Sequence, residues 1–305
     1  MTKFLIIVVG PTGIGKTALS IQLAKHFNTE ILSSDSRQFY KEMKIGTAVP
    51  SDLELNAAPH HFIQHISIKD KYSVGDFERE AIERIGRLFR VHDILIMAGG
   101  SGLYIEAVVK GLDNFPEVDP KIRKDLMKIL ENQGLLPLQQ KLNELDPYYY
   151  QNADINNPHR IVRALEICLG TRKPYSSFLT GSPIERNFTP IYIGLTGERE
   201  DIYNRINKRV DQMIREGLID EVGELLQHKN LNALNTVGYK ELFEYLDEKT
   251  DLETAISEIK KNSRRYAKRQ LTWLRKNDAV HWFNYKTSYS EIVEYIEKLI
   301  SHEDF

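Results

Sequence analysis

The stretch that decides the fold is Gly10-Pro11-Thr12-Gly13-Ile14-Gly15-Lys16-Thr17. Its spacing is that of a P-loop, G-x-x-x-x-G-K-[ST]. The apolar run 4–9 precedes it and an amphipathic segment, 17–27, follows, which is the strand–loop–helix context that the motif requires. In such a loop the backbone amides surround a phosphate, the helix N-terminus adds its positive dipole end, the lysine supplies a charge, and the threonine hydroxyl can ligate Mg²⁺. We therefore predict that this segment binds a diphosphate or triphosphate.

The rest of the chain predicts an α/β fold with a P-loop NTPase-like parallel sheet core covered by helices. Helical periodicity fills most of the gaps between six β-rich runs, which is typical of βαβ units. These runs are 3–9, 30–34, 62–67, 92–98, 190–196 and 279–284.

The interval 115–189 departs from this alternation, because it contains no convincing strand. Helical patterns cover 119–133, 135–145 and 157–170. We predict an all-helical insertion domain at 115–189, inserted into a catalytic core made of 1–114 and 190–305. The loop 171–189 fits either part.

Composition limits the class of protein. The 305 residues are 41% hydrophobic and 28% charged, and the net charge of −2 gives no overall signal for nucleic acid. No apolar run approaches the roughly 18–20 residues of a membrane helix. Because the first strand begins so early, we expect no targeting peptide. The single cysteine, Cys168, lies in an apolar helical pattern, so we expect it to be buried. We expect a cytoplasmic monomer with no obligate protein partner and no membrane association.

Charge is concentrated in one predicted helix, 252–276. One arc of this helix is apolar, and the opposite half carries eight basic residues, with Leu271 as the one apolar exception. The basic residues are Lys260, Lys261, Arg264, Arg265, Lys268, Arg269, Arg275 and Lys276. Because no acid interrupts 260–276, we interpret this half as a surface for the phosphate backbone of a nucleic acid. An ordinary solvated face is the alternative.

Two strand ends carry candidate functional residues, since ligands bind beyond the carboxyl ends of parallel strands. Asp35 follows the second strand and either faces the P-loop or caps the next turn. Gln38 has groups suited to an adenine edge. Ser101 follows the fourth strand and either bonds a substrate or caps a helix. Asp93 opens that strand rather than closing it, which counts against a motor ATPase or GTPase.

Two further pairs of polar residues are candidates for a functional role. Arg205 and Arg209, four residues apart on a predicted helix, share one edge and suit a charge clamp on a departing phosphate, or they are surface salt-bridge partners. The pair His60-His61 has no third ligand at metal spacing, so we interpret both as polar loop residues.

Taken together, these residues resemble the bacterial tRNA dimethylallyltransferases, or isopentenyl transferases. The likeness runs nearly end to end, with Val49 and Ser101 as small departures where Lys and Thr are usual. Beside the P-loop it rests on Asp35-Ser-x-Gln38-x-Tyr40, Ile45-Gly-Thr-Ala48, Gly99-Gly-Ser-Gly-Leu-Tyr104, His159-Arg160-x-x-Arg163-Ala-Leu-Glu166, Thr236-Val-Gly-Tyr-Lys240 and Arg265-Tyr-Ala-Lys-Arg-Gln-Leu-Thr-Trp273.

The resemblance implies transfer of a dimethylallyl group from dimethylallyl diphosphate to N6 of adenosine 37 in tRNAs that read codons beginning with U. Lys16, Thr17 and Arg209 would then stabilise the leaving diphosphate, and Asp35 would accept the N6 proton. Mg²⁺ is the implied cofactor, held by Thr17 and Asp35, directly or through water. The implied contacts to the prenyl diphosphate are Thr12, Gly13, Ile14, Gly15, Lys16 and Thr17.

The resemblance and the basic face also imply a set of contacts to the anticodon stem-loop of tRNA. The implied residues are Asp35, Ser36, Arg37, Gln38, Ser101, Arg123, His159, Arg160, Ile161, Val162, Arg163, Thr236, Val237, Gly238, Tyr239, Lys240, Arg264, Arg265, Lys268 and Arg269. Two other classes stay open at this point. A small-molecule or nucleotide kinase would use the same P-loop with ATP, and a non-catalytic RNA-binding protein would keep it as a relic.

Overall fold

The computed structural model describes residues 2–179, 181 and 184–303. These residues fall into two compact units, one made of 1–110 and 185–305 and the other of 111–184. Every helix of the described residues falls short of the length and apolar character that a membrane span requires.

The first unit is built on one parallel sheet with strand order β3-β2-β4-β1-β5-β6. The strands are β1 (Phe4–Val9), β2 (Ile31–Ser33), β3 (His60–His61), β4 (Ile94–Ala98), β5 (Thr189–Thr196) and β6 (Val280–Asn284). Every residue of β1 is buried, as expected for a central strand covered on both faces. Phe4, Ile6 and Val8 enter one hydrophobic cluster, and the alternate residues of β1 enter the cluster on the opposite face. The predicted fold class is confirmed.

Helices occupy most of the remaining chain, and α5 to α8 belong to the second unit. The helices in the described residues are α1 (Lys16–His26), α2 (Asp52–Ala57), α3 (Val74–Leu88), α4 (Gly102–Lys110), α5 (Pro120–Gln133), α6 (Leu136–Leu145), α7 (Pro147–Asn152), α8 (Pro158–Thr171), α9 (Arg199–Arg215), α10 (Leu218–Glu224), α11 (Tyr239–Leu246), α12 (Leu252–Leu274) and α13 (Tyr289–Glu303).

The third strand lies earlier than the sequence predicted. Residues 62–67 form no strand, because Phe62 and Gln64 take positive φ values of 62° and 47° that interrupt an extended backbone. The strand is instead the histidine pair, and the prediction that both are polar loop residues was wrong. The imidazole of His61 contacts the Glu30 carboxylate at 2.6 Å, and His60 Nδ1 lies 2.8 Å from the Ala58 carbonyl.

The second unit contains only helical elements among its described residues. Three of its helices start at an Asp or Asn followed by proline: the side chains of Asp119, Asp146 and Asn157 accept bonds from first-turn amides, and proline occupies the first positions. The sequence analysis had missed α7. Cys168 is buried as expected.

Helix α12 is the longest helix described, and it contacts all three hydrophobic clusters of the first unit. Ile259 packs in one cluster, Ala267 in the second and Leu274 in the third. Leu271, predicted on the basic face, packs against the same cluster as Ala267. The prediction of one apolar arc along α12 was therefore incomplete, because different sides of the helix are buried at different points along its length.

We expect the central strand to carry much of the stability of the first unit. Val8 is fully buried and Val91 is 74% exposed, so Val8→Ala and Val91→Ala remove the same atoms from opposite environments. Val8→Ala should lower the free energy of unfolding by about 1.5–3 kcal/mol, while Val91→Ala should change it by less than about 0.5 kcal/mol. Urea unfolding of both variants measures the difference. Equal midpoints would contradict the central placement of β1.

Candidate active site

Glycine geometry shapes the P-loop between β1 and α1. Gly10 has a φ of 149°, and a Cβ added there would lie 2.6 Å from the Leu195 carbonyl oxygen, so a larger residue does not fit. Gly15 has a φ of 115° and precedes α1. The turn thereby directs the first amides of α1 toward the loop, as a phosphate site requires.

Lys16 lies across this loop. Its Nζ donates to the Gly10 carbonyl at 3.0 Å and the Pro11 carbonyl at 2.9 Å. Burial lowers the pKa of Lys16 to about 8, against the opposing effect of the Asp35 carboxylate, and the nearby Arg209 charge lowers the pKa further. The amine is therefore held against two carbonyls of the P-loop, and burial is the main influence on its pKa.

Two arginines of α9 contact the P-loop. Arg205 Nε donates to the Gly13 carbonyl at 2.8 Å, and Arg209 donates to Thr12 Oγ1 at 3.3 Å. Burial lowers the pKa of Arg209, and Asp35 opposes this effect. Both side chains bond the loop itself, so the surface salt-bridge alternative does not describe them.

Asp35 combines the two roles that the sequence left open. Its Oδ1 accepts the Arg37 amide at 3.1 Å, which closes a local turn. The same residue also lines two cavities, one of which contains the P-loop residues. The carboxylate is thus held by the Arg37 backbone amide and lines a cavity together with the P-loop.

The Gln38 side chain bonds backbone carbonyls and a side chain within the protein. Its amide donates to the carbonyls of Thr47 and Ala48, at 3.2 and 2.9 Å, and its Oε1 accepts from Ser33 at 3.3 Å. Gln38 therefore holds the loop at 47–48 and also lines the larger cavity, and a contact to adenine stays a prediction.

Ser101 connects the ends of β2 and β4. Its hydroxyl accepts the Ser36 amide at 3.2 Å and lies 3.2 Å from the Ser36 hydroxyl. The Ser101 carbonyl accepts the Tyr104 and Ile105 amides at the start of α4, at 2.9 and 3.2 Å. The bond to Ser36 places Ser101 beside the Asp35 turn, as expected for two adjacent parallel strands.

Two cavities of about 450 and 540 Å³ share part of their lining, including the predicted catalytic residues Asp35 and Arg209. The larger cavity is lined by Gly13, Gly15, Lys16 and Thr17. The smaller one is lined by Ser36, Arg37, Lys240, Tyr266 and Arg269. Four residues line both cavities: Thr12, Asp35, Thr47 and Arg209. The arrangement can hold an anion on one side and a second reactant on the other, with a carboxylate and a cation between them.

The segment 236–240 contributes unequally to the smaller cavity. Thr236, Val237, Gly238 and Lys240 line it. Tyr239 is fully buried, and its hydroxyl donates to Glu221 at 2.6 Å. A direct tRNA contact by Tyr239 is therefore corrected to support of the loop behind the cavity wall.

The basic residues of α12 divide into paired and exposed groups. Lys260 pairs with Asp211 at 2.5 Å, and Arg264 donates to Asn207 at 2.7 Å, both on α9. Arg265, Lys268 and Arg269 are exposed. Lys261 pairs with Glu258, which lies on α12 just before 260–276, while the partners of Lys260 and Arg264 come from α9.

In the second unit, two candidate arginines share one carboxylate. Arg123 and Arg163 donate to Glu166 Oε2 at 3.2 and 2.8 Å, and their side chains stay 46% and 42% exposed. His159 and Arg160 are also exposed, whereas Ile161 and Val162 belong to the core of this unit. Direct tRNA contacts by Ile161 and Val162 are therefore corrected to packing roles.

Two residues of the site were missed by the sequence analysis. Gln270 is buried, and the signal for it was a polar side chain on an otherwise apolar part of α12. Glu221 accepts the amides of Lys44, Ile45 and Gly46 at 2.7–2.9 Å. Nothing in the local sequence pointed to that contact, because its partners lie more than 170 residues away in the chain.

The oxygen donors beside the P-loop are suited to Mg²⁺. The described residues contain no group of three or more His, Cys, Asp or Glu able to hold a metal ion. The larger cavity offers the Thr17 hydroxyl and the Asp35 carboxylate. Sparse oxygen donors of this kind fit Mg²⁺, which retains waters and is commonly completed by substrate phosphates.

Comparison with known proteins supports one family. The family model for IPP transferase matches residues 38–277. A tRNA dimethylallyltransferase of Christiangramia forsetii is 62% identical, covering 99% of this chain and 100% of that protein. One of Flavobacterium johnsoniae is 55% identical, covering 96% and 97%.

Solved structures agree with this assignment. The tRNA isopentenylpyrophosphate transferase of Bacillus halodurans is 38% identical, with a TM-score of 0.72 and coverage of 99% of this chain and 96% of that one. A eukaryotic dimethylallyltransferase acting on tRNA is 27% identical, with a TM-score of 0.85 and coverage of 99% and 80%. The chain belongs to the IPP transferase family.

Proposed function

We propose that this chain transfers a dimethylallyl group from dimethylallyl diphosphate to N6 of adenosine 37 in tRNAs that read codons beginning with U. The observation that carries the proposal is the junction of two cavities at Thr12, Asp35 and Arg209. The relatives named as tRNA dimethylallyltransferases support the reaction.

The larger cavity is the proposed site of the diphosphate. The P-loop then holds the group that leaves, which explains why a reaction without a nucleoside triphosphate uses this motif. As the C1–O bond breaks, its electron pair passes to the diphosphate, and the Lys16 and Arg209 cations stabilise the added charge. Charges held in a desolvated site of this kind are among the strongest contributions to catalysis.

Asp35 is the proposed general base. Adenine N6 is a poor nucleophile because its lone pair is delocalised into the ring, so removal of a proton assists formation of the new C–N bond. Asp35 lies at the junction of the cavities and accepts that proton. Thr17 and Asp35 would hold Mg²⁺, which supplies neutralisation of diphosphate charge when it is bound.

The smaller cavity is the proposed site of a flipped adenine. An anticodon-loop base leaves its stack to enter such a cavity, and cations around the rim stabilise the adjoining phosphates. Arg37, Lys240 and Arg269 line this cavity, and Arg265 and Lys268 lie exposed on α12. We propose that the helical unit adds Arg123, His159, Arg160 and Arg163 to the tRNA contacts.

Nucleoside mass spectrometry tests the function directly. Unmodified tRNA is incubated with the enzyme, Mg²⁺ and dimethylallyl diphosphate, and its nucleosides are analysed. We expect N6-dimethylallyladenosine at position 37 and release of diphosphate. Phosphate transfer from ATP to the RNA or to a small acceptor, with no prenylated nucleoside, would replace this proposal with a kinase.

Asp35→Asn should slow single-turnover prenylation by about 10²–10⁴-fold at saturating substrates, because the amide cannot accept the N6 proton. Binding of both substrates should survive, since the amide oxygen can still accept the Arg37 amide. The same rate series is run against Mg²⁺ concentration. A wild-type single-turnover rate rules out Asp35 as a catalytic residue, and a rate restored by added Mg²⁺ assigns it to metal binding instead.

The charge of Lys16 should make pyrophosphate binding depend on pH. In the absence of ligand, burial lowers the pKa of Lys16 to about 8. Its side chain is then mostly charged at about pH 7 and mostly neutral at about pH 9. Affinity for inorganic pyrophosphate, measured by calorimetry, should therefore fall over this range relative to Lys16→Met. Lys16→Arg is the matched control, because its guanidinium keeps its charge throughout. Parallel profiles for wild type and Lys16→Met would refute the assignment.

Arg265→Ala and Lys268→Ala should each weaken tRNA binding and lower the slope of log Kd against log salt by about one unit or less. Lys260→Ala is the control on the same helix, because Lys260 is already paired with Asp211. Filter binding over a salt series measures all three slopes. If the two exposed positions behave like Lys260, this face of α12 is only a solvated surface.

A further inference from the structure

Gln270 joins two loops at the site through one buried amide. Its side chain lies on α12 and is 7% exposed. The Oε1 atom accepts the Thr12 amide at 2.9 Å, and Nε2 donates to the Gly100 carbonyl at 3.0 Å. A side chain added at Gly100 would collide with this amide. The bridge therefore uses both ends of the amide, and a larger residue at position 100 would displace it.

Both partners of Gln270 lead to the reacting groups. Thr12 lines both cavities, and its hydroxyl accepts from Arg209. Gly100 precedes Ser101, whose hydroxyl accepts the Ser36 amide beside Asp35. Gln270 is absent from the linings of both cavities, so it acts through these neighbours.

We propose that Gln270 is a positioning residue that sets the P-loop amide of Thr12 and the Gly100 carbonyl for the chemical step. The inference rests on the proposed function. On the same helix, Tyr266 lies one turn before Gln270 and Arg269 immediately precedes it, and both line the smaller cavity. The bridge thus fixes the diphosphate loop to the helix that carries the proposed RNA contacts.

The required chemistry predicts the effect of an isosteric replacement. Gln270→Met keeps the approximate shape and removes both hydrogen bonds, leaving the Thr12 amide and Gly100 carbonyl without this partner. We expect kcat for prenylation to fall about 10–100-fold, because small misplacement of reacting groups is costly. The KM for tRNA should stay within about twofold of the wild-type value, since Gln270 does not line the smaller cavity.

Gln270→Glu gives the sharper test, because pH then controls whether the side chain can donate to the Gly100 carbonyl. A protonated carboxyl can accept from the Thr12 amide and donate to the Gly100 carbonyl, as glutamine does. The ionised form faces that carbonyl with no proton to donate, and burial raises its pKa into the measurable range. The ratio of variant to wild-type kcat should therefore fall as pH rises from about 6 to about 9. Taking the ratio cancels the titration of other groups.

Matched controls separate this effect from added charge and from misfolding. Gln22→Glu places the same charge on an exposed position of α1, and its ratio to wild type should be flat over this range. Thermal unfolding is recorded for every variant. Amide exchange in the wild-type chain needs no variant, and it should show protection of the Thr12 amide.

The outcomes distinguish the inference from the proposed function. A pH-independent ratio for Gln270→Glu, or kcat within about twofold of wild type for Gln270→Met, overturns the positioning role. Fast exchange of the Thr12 amide overturns it as well. If wild-type enzyme prenylates no tRNA, the proposed function has failed, while protection of the Thr12 amide still tests the bridge itself.

Discussion

The balance of three charges at the P-loop is the constraint on which the rest of the site depends. Burial lowers the pKa of both Lys16 and Arg209, and the Asp35 carboxylate opposes the effect on each. Two desolvated cations beside one carboxylate suit a dianionic or more highly charged ligand, which replaces hydration that the fold has removed. A neutral cleft of the same shape would bind diphosphate weakly, and a fully hydrated one would stabilise the leaving group less.

A parallel sheet brings these charges together, because the carboxyl ends of β1, β2 and β4 lie side by side. The P-loop follows β1, Asp35 follows β2 and Ser101 follows β4, so neighbouring strands deliver the loop, the carboxylate and the hydroxyl to one edge. The amino ends carry a different contact: Asp93 pairs with Lys3 at 2.6 Å. An acid at the start of β4 therefore stabilises the opposite edge of the sheet and takes no part in the site.

The sequence predicted those parts of the fold and site that follow local rules. Neighbouring residues alone determine three of these features: the P-loop spacing, the buried β1 run and the position of Asp35 after β2. The structure has each of them where the sequence predicts it. The third strand was misplaced because the positive φ values at Phe62 and Gln64 belong to residues that rarely adopt them. A partner distant in the chain explains another difference: Asp211 of α9 pairs with Lys260, which the sequence predicted on the free basic face.

Glu221 shows why such partners matter to function and not only to stability. Its carboxylate accepts three successive amides at 44–46 and the Tyr239 hydroxyl. Burial raises the pKa of the Tyr239 phenol, and the neighbouring Glu221 carboxylate raises it further. The loop so held continues to Thr47, which lines both cavities. The partition between the two proposed reactants is thus anchored by a residue of α10, while Gln270 of α12 anchors the P-loop. Because both anchors come from the later part of the chain, the early motifs become a reaction site only when the whole first unit has folded.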